Sequence, residues 1–295
     1  MPLGPTWTIG DVRITSVIEV DQHWKWAWLL PDVEPDDVDA MPWLRPHFVD
    51  EKGKLILRIQ ALVVESHDQR ILVDTCVGND KERATPLFDR LSTTFLDDLT
   101  AAGFPPESID QVVCTHLHVD HVGWNTRLVD GDWVPTFPNA LYLFGRAEYE
   151  YWATAEDAAA YGDVMGDSVA PVVDAGLALM VDSDHLLTPE VQLEPTPGHT
   201  PGHVSVRISS VGSTAVITGD MLHHPIQIAR PSLCSSADVD APCAAATRRA
   251  AFRRWADSDA LVIGSHFAGP GAGRLRPIAD PDGADGGHGW DFIID

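Results

Sequence analysis

Positive charge is scarce in this sequence. Twenty lysines and arginines stand against 44 aspartates and glutamates in 295 residues, a formal net charge of −24. Such a field repels nucleic acid and anionic membrane surfaces, and it disfavours polyanionic substrates. Long apolar runs are missing too. No stretch of about 18 uninterrupted apolar residues occurs, so no transmembrane helix is expected. The opening residues, Met1-Pro2-Leu3-Gly4-Pro5, lack a basic segment followed by an apolar one, so no secretory signal is expected. Cysteine is limited to Cys76, Cys114, Cys234 and Cys243, in no framework or CxxC spacing. Reduced thiols in a cytoplasmic protein follow as the expectation. There is no internal repeat, and no Gly-x-Ser-x-Gly elbow to carry a serine nucleophile. Hydrophobic residues make up 44% of the chain, enough for a substantial core. Layered α/β domains reach this length as one unit.

What is abundant is concentrated. Thr115-His116-Leu117-His118-Val119-Asp120-His121 follows the apolar run Gln111-Val112-Val113-Cys114. An apolar run ending in potential ligands reads as a buried strand delivering a loop to a metal site. His116 and His118 share a face if the loop is extended, so their ring nitrogens can converge on one ion. Asp120 and His121 come from the following turn and suit a second ion. Zinc favours such nitrogen and carboxylate donors. The bland alternative is a helix start whose histidines face solvent.

Along the chain, residues 11–20 alternate as a first strand. Trp24, Trp26 and Trp28 then fall at alternate positions and would share one face of an extended segment. They suit a substrate wall, a subunit contact or local core packing. Residues 31–48 read as irregular. Strands are expected at 55–65 and 70–74, turning at His67-Asp68-Gln69. A helix is expected over 88–102, stopped by Gly103. A strand at 139–144 leads into helical spacing at 146–153, and the alanine-rich stretch 154–179 reads as further helix with breaks at Gly162, Gly166 and Pro171. Strands follow at 191–195, 204–208, 214–218 and 260–263. The helix expected over 239–256 carries Arg248, Arg249, Arg253 and Arg254, read as a solvated face paired with carboxylates. His288, in Gly286-Gly287-His288-Gly289, reads as a loop residue.

His116-x-His118-x-Asp120-His121 resembles the signature of the metallo-β-lactamase-fold hydrolases. Four further stretches resemble that family's other motifs in order: Leu72-Val73-Asp74-Thr75, Gly198-His199-Thr200-Pro201-Gly202-His203, Thr218-Gly219-Asp220 and Gly264-Ser265-His266. The resemblance implies a layered α/β fold, a four-layer αββα sandwich with the metal site at one edge of its two sheets. Residues 1–295 are expected to form one domain, with a Trp-rich excursion at about 21–50 and a helical insert at about 145–180; the resemblance makes Tyr149, Tyr151 and Trp152 of that insert pocket candidates, with an ordinary amphipathic helix as the alternative. The resemblance assigns His116, His118 and His199 to a first ion and Asp120, His121 and His266 to a second, with Asp220 bridging and His203 in support. Two zinc ions are implied, with iron, manganese or cobalt as alternatives. A hydroxide between the ions would be the nucleophile.

An aspartate at 220 argues against β-lactam cleavage, because the main β-lactam-cleaving group carries cysteine near this position. In bacterial acyl-homoserine lactonases a tyrosine lies three residues beyond the bridging aspartate. Here that position is His223, and Gly-Asp-x-x-His with Gln227 and Asp238-Val239-Asp240 is similar to the methyl parathion hydrolase branch. Asp120, Asp220 and His223 are therefore the candidate catalytic residues. The implied function is opening of a small neutral ester or lactone. Phosphotriester hydrolysis, glyoxalase-type thioester hydrolysis and a non-catalytic metal-binding role are the alternatives. No nucleic-acid or membrane partner is expected; a homodimer through Trp24–Trp28 is a hypothesis only.

Overall fold

The computed structural model describes residues 4–155, 160–279 and 288–294. Within them two seven-stranded sheets carry the fold. In spatial order the first holds Thr6–Ile9, Val12–Trp24, Leu55–Ser66, Gln69–Val73, Gln111–Cys114, Leu141–Gly145 and Ala178–Val181. The second holds Leu186–Thr188, Val191–Pro195, Val204–Ser210, Ser213–Ile217, Leu261–Ile263, Ala272–Ala279 and His288–Ile293. One apolar cluster lies between the sheets. Val64, Val73 and Val113 of the first meet Val206, Ile217 and Ile263 of the second. The alternate residues Val63, Leu72 and Val112 join a larger cluster on the outer face, with Phe95 and Leu99 of the helix Phe95–Ala101. Because both faces are covered, these strands read as continuous apolar runs and not as an alternation.

The topology also places the ligand loops. Gln111–Cys114 runs parallel to Gln69–Val73 and to Leu141–Gly145, and Ser213–Ile217 runs parallel to Leu261–Ile263. Parallel neighbours end at the same edge of a sheet. Asp74, Thr115, Thr218 and Gly264 therefore all begin loops there, and crevices outside the carboxyl ends of parallel strands are where open α/β sheets bind ligands. The Val204 N–H donates to the Thr115 carbonyl at 3.0 Å and the Arg58 N–H to the His266 carbonyl at 3.1 Å, so the two sheets are tied at that edge.

Several expectations need correction. A hairpin strand, Thr6–Ile9, precedes the expected first strand, which runs on to Trp24. The Trp24–Trp28 segment is not extended: a helical turn, Trp26–Leu29, sends Trp26 away from Trp24 and Trp28. Trp24 and Trp28 meet edge to face at 4.2 Å, while Trp26 packs on His224. The helix expected over 88–102 begins only at Phe95, since Arg90 takes a left-handed φ of 47° that no helix tolerates. The expected helix over 154–179 gives way to a π-helical turn, Met165–Val169, the short helix Ala170–Asp174 and an edge strand, Ala178–Val181; residues 156–159 lie outside the described residues. His288 opens a strand.

Arg248 is the clearest departure from the solvated-face reading. It is fully buried and donates to the carbonyls of Pro231, Met221 and Leu233. The helix Ala241–Asp257 turns that one arginine inward because the loop 221–234 has carbonyls and no strand partners. Among the described residues no helix is long and apolar enough to cross a membrane.

One buried cation gives the fold a pH signature. Lys81 is fully buried, its Nζ donating to the Asp167 carbonyl at 2.8 Å. Burial pushes its ammonium down to about 7, with Asp167 and Asp80 pulling upward and Arg83 adding to the depression. An unfolded lysine titrates near about 10.4, so between those values the unfolded chain binds more protons and stability rises with pH. Lys81→Met removes that contribution. Urea unfolding across this window should show a shallower rise for the variant than for the wild type; equal slopes would mean that the folded lysine titrates normally.

Candidate metal centre

At the shared sheet edge seven side chains converge. His116, His118, His199 and Asp220 bring one ligand atom each within 4.8 Å of one another, and so do Asp120, His121 and His266. Asp220 stands between the groups. Its Oδ2 is 3.7 Å from His116 Nε2 and 3.4 Å from His199 Nε2. Its Oδ1 is 3.1 Å from His121 Nε2 and 2.9 Å from His266 Nε2. Each oxygen thus faces a different group of three. Asp120 approaches His121 at 3.8 Å and His266 at 3.7 Å.

The donor set fits divalent metal. His116 Nε2 and Asp220 Oδ1 are buried without a hydrogen-bond partner, which polar atoms in a protein interior rarely are. Imidazole nitrogens face each other at 2.9 Å between His199 and His118, and at 3.2 Å between His121 and His266. Two bare lone pairs repel at such a distance unless a proton or a cation lies between them. Burial, then the neighbouring histidines, pushes His116 and His118 well below the ordinary imidazole range, which keeps them neutral ligands. Burial also opposes charge on His121, but Asp220, Asp74 and Asp120 outweigh it and hold its pKa well above the usual value. The three carboxylates thus demand positive charge that the protein alone meets only by protonating a histidine. A divalent cation answers that demand directly.

Outer partners orient the rings. His121 Nδ1 meets Asp74 at 2.9 Å, and Asp74 also accepts from the Thr115 N–H at 2.8 Å and the Thr115 hydroxyl at 3.0 Å. His199 Nδ1 meets Asp238 at 2.9 Å, and His266 Nδ1 meets the Arg58 carbonyl at 2.8 Å. Such contacts fix the tautomer and leave the other nitrogen for metal. His203, expected in support, holds the bridging residue: its Nε2 accepts from the Asp220 N–H at 2.9 Å. Burial drives its pKa down to about 3, so it stays an acceptor. His223 Nε2 lies 3.1 Å from Asp220 Oδ2, and its ring is parallel to that of His266.

Two carboxylates were missed by sequence reasoning. Asp238 was quoted only as part of a pattern. The buried Glu148 accepts from the Leu117 N–H at 3.1 Å, the Gly202 N–H at 3.1 Å, the Thr200 hydroxyl at 2.7 Å and Trp152 Nε1 at 2.7 Å. It therefore stitches the 116–121 loop to the 199–202 loop. Gly202 is required for this, since a Cβ there would sit 2.3 Å from the Glu148 backbone nitrogen. Trp152, weighed as a pocket residue, serves the Glu148 carboxylate and packs on His118.

A cleft opens over the centre. His118, Asp120, Asp220, His223 and His266 form its floor; Trp24, Trp28, Leu57, Phe88 and Tyr161 stand in its walls. Among the described residues no lysine or arginine lines it.

Residues 57–266 match the metallo-beta-lactamase superfamily, and the chain belongs to that family. The match takes in all seven clustered residues. An N-acyl homoserine lactonase of a Bacillus species is 28% identical over 181 residues, 56% of this chain and 64% of the relative. The N-acyl homoserine lactonase AttM of Rhizobium radiobacter is 33% identical over 120 residues, 38% of this chain and 41% of the relative. The chain thus spans under two-thirds of the curated lactonases that it matches. Among solved structures, the hydrolase AbOPH superposes with a TM-score of 0.78 at 25% identity over 99% of this chain and 97% of that one. AidC, a dizinc quorum-quenching lactonase, superposes at 0.76 with 22% identity, over 99% and 98%.

Removing Asp238 leaves His199 Nδ1 unpaired while keeping every clustered ligand. Asp238→Ala should weaken metal binding by about 10–100-fold. Competition with a chromogenic chelator measures this; unchanged affinity would show that the Asp238–His199 contact does not govern the ring.

Proposed function

We propose that this chain is a metal-dependent hydrolase that opens neutral, apolar carboxylic esters, lactones foremost. One observation carries the reading: the two oxygens of Asp220 each face a separate three-residue ligand group. In this reading His116, His118 and His199 hold one zinc ion, Asp120, His121 and His266 hold the other, and Asp220 serves both. Bound zinc supplies Lewis acidity and brings the pKa of a coordinated water to about 7.

The remaining work falls to side chains. The cleft admits an uncharged acyl group, because its walls are largely aromatic and aliphatic. Trp24, Trp28 and Phe88 exclude water from one side of the bound group. His223 faces the floor; burial lowers its pKa, so the neutral ring has one N–H to give. Turned from Asp220 towards substrate, that N–H donates to the oxygen of the breaking ester bond. It takes the place of the tyrosine seen three residues past the aspartate in acyl-homoserine lactonases. The acidic surface favours departure of the carboxylate product.

A neutral phosphotriester also meets these requirements and is the second reading. Glyoxalase-type substrates are disfavoured, since the cleft offers no basic group to a glutathione carboxylate.

The test joins metal counting to turnover. Purified protein should carry about two zinc ions per chain and hydrolyse aryl esters or γ- and δ-lactones faster than a neutral phosphotriester. Asp220→Ala should lose activity by more than about a hundredfold, the upper range for outer partners of metal ligands. His223→Phe should keep its zinc and lose about 10–100-fold in kcat. Metal-replete protein that hydrolyses no member of the panel would end the hydrolase reading.

A further inference from the structure

Two parts of the cleft wall lack a strand to hold them. Residues 74–94 join a strand to the helix Phe95–Ala101 with no strand or helix between, and they supply Thr85 and Phe88 to the cleft. Tyr161 comes from the stretch before the π-helical turn Met165–Val169. Behind both lies a charge cluster that takes no part in the metal centre. Arg83 donates to both Asp167 carboxylate oxygens, at 2.6 Å from Nη1 and 2.9 Å from Nη2. Lys81 Nζ is 3.6 Å from the same carboxylate and 3.5 Å from the centre of the Trp133 ring. The side chains of Lys81 and Arg83 are fully buried.

The two segments also meet directly. The Ala84 N–H donates to the Tyr161 carbonyl at 3.3 Å. Gly162 has φ +110°, and a Cβ there would stand 2.4 Å from the Glu82 carbonyl oxygen, so glycine permits the approach. Burying three charges stabilises a fold no better than apolar side chains of similar volume. A bidentate guanidinium–carboxylate pair does, however, fix orientation tightly.

We propose that the Arg83–Asp167 pair, backed by Lys81, is a positioning latch that fixes the Phe88 and Tyr161 walls relative to each other and so sets how bulky an apolar group reaches the metal centre. Its kinetic consequence rests on the hydrolase reading; the latch itself does not.

The test compares zinc-loaded wild type, Asp167→Asn and the charge-keeping Arg83→Lys, which decides the matter alone if Asp167→Asn does not fold. Hydrogen exchange follows the Ala84 amide and residues 160–169. Tryptophan fluorescence follows binding of decanoate and acetate, and kcat and KM are measured for decanoyl and acetyl aryl esters. In the variants both segments should exchange about tenfold faster together while sheet amides and zinc content hold. KM for the decanoyl ester and Kd for decanoate should rise about tenfold, with kcat for the acetyl ester within about twofold. Faster exchange in one segment alone, or equal effects on long and short ligands, would overturn the latch. If the wild type hydrolyses neither ester, the hydrolase reading fails, while exchange and decanoate binding still decide the latch.

Discussion

A buried carboxylate surrounded by imidazoles governs this structure. Asp220 sits at the junction of two sheets with histidine nitrogens against both oxygens and with its N–H held by His203. Such a group is costly to bury unless positive charge balances it. The loops around it are arranged to bring that balance about. Asp74 and Asp238 hold His121 and His199, the Arg58 carbonyl holds His266, and Glu148 holds two loop backbones at once. The sandwich lets every one of these loops start from a strand end, so a rigid scaffold sets the spacing of the ligand atoms.

The cleft over the centre draws on a different layer of the structure. The floor of the cleft is polar and comes from the ligand loops; its walls are apolar and come from the Trp24–Trp28 excursion, the 74–94 loop and the residues around Tyr161. The excursion is pinned to the metal centre's own support. Ser236 donates to the Trp28 carbonyl at 2.8 Å and to the Leu29 carbonyl at 3.0 Å, two residues before Asp238. Arg248 closes the same loop from beneath, through the carbonyls of Met221 and Leu233. Wall and floor therefore share a foundation.

The residues that cluster at the sheet edge were legible because they lie in short strings of potential ligands. His116 to His121 lie within one loop, and a strand end preceding each motif is enough to aim it. The strands with apolar runs were legible for the same reason. The misreadings have a common physical origin. The Trp24–Trp28 alternation would put three rings on one face only in an extended segment, and two-residue spacing cannot reveal that a helical turn intervenes. The helix expected from Phe88 was cut short by a left-handed residue at Arg90 that spacing does not show. Arg248 looked solvated because its partners are backbone carbonyls, which leave no mark in sequence.

The sequence by itself determined which residue types could gather around metal, that they follow strand ends, and that the fold is a layered α/β sandwich. These are local properties: ligand identity and apolar run length are written in adjacent residues. Only the tertiary structure decided that Asp220 turns one oxygen to each ligand group, that Glu148 and Asp238 support the ligand loops, and that Trp24 and Trp28 wall the cleft while Trp26 does not. Most of those outcomes depend on contacts between residues far apart in sequence, such as Asp220 with His116, Glu148 with Leu117 and Asp238 with His199, and on backbone groups common to every residue, so no local pattern encodes them.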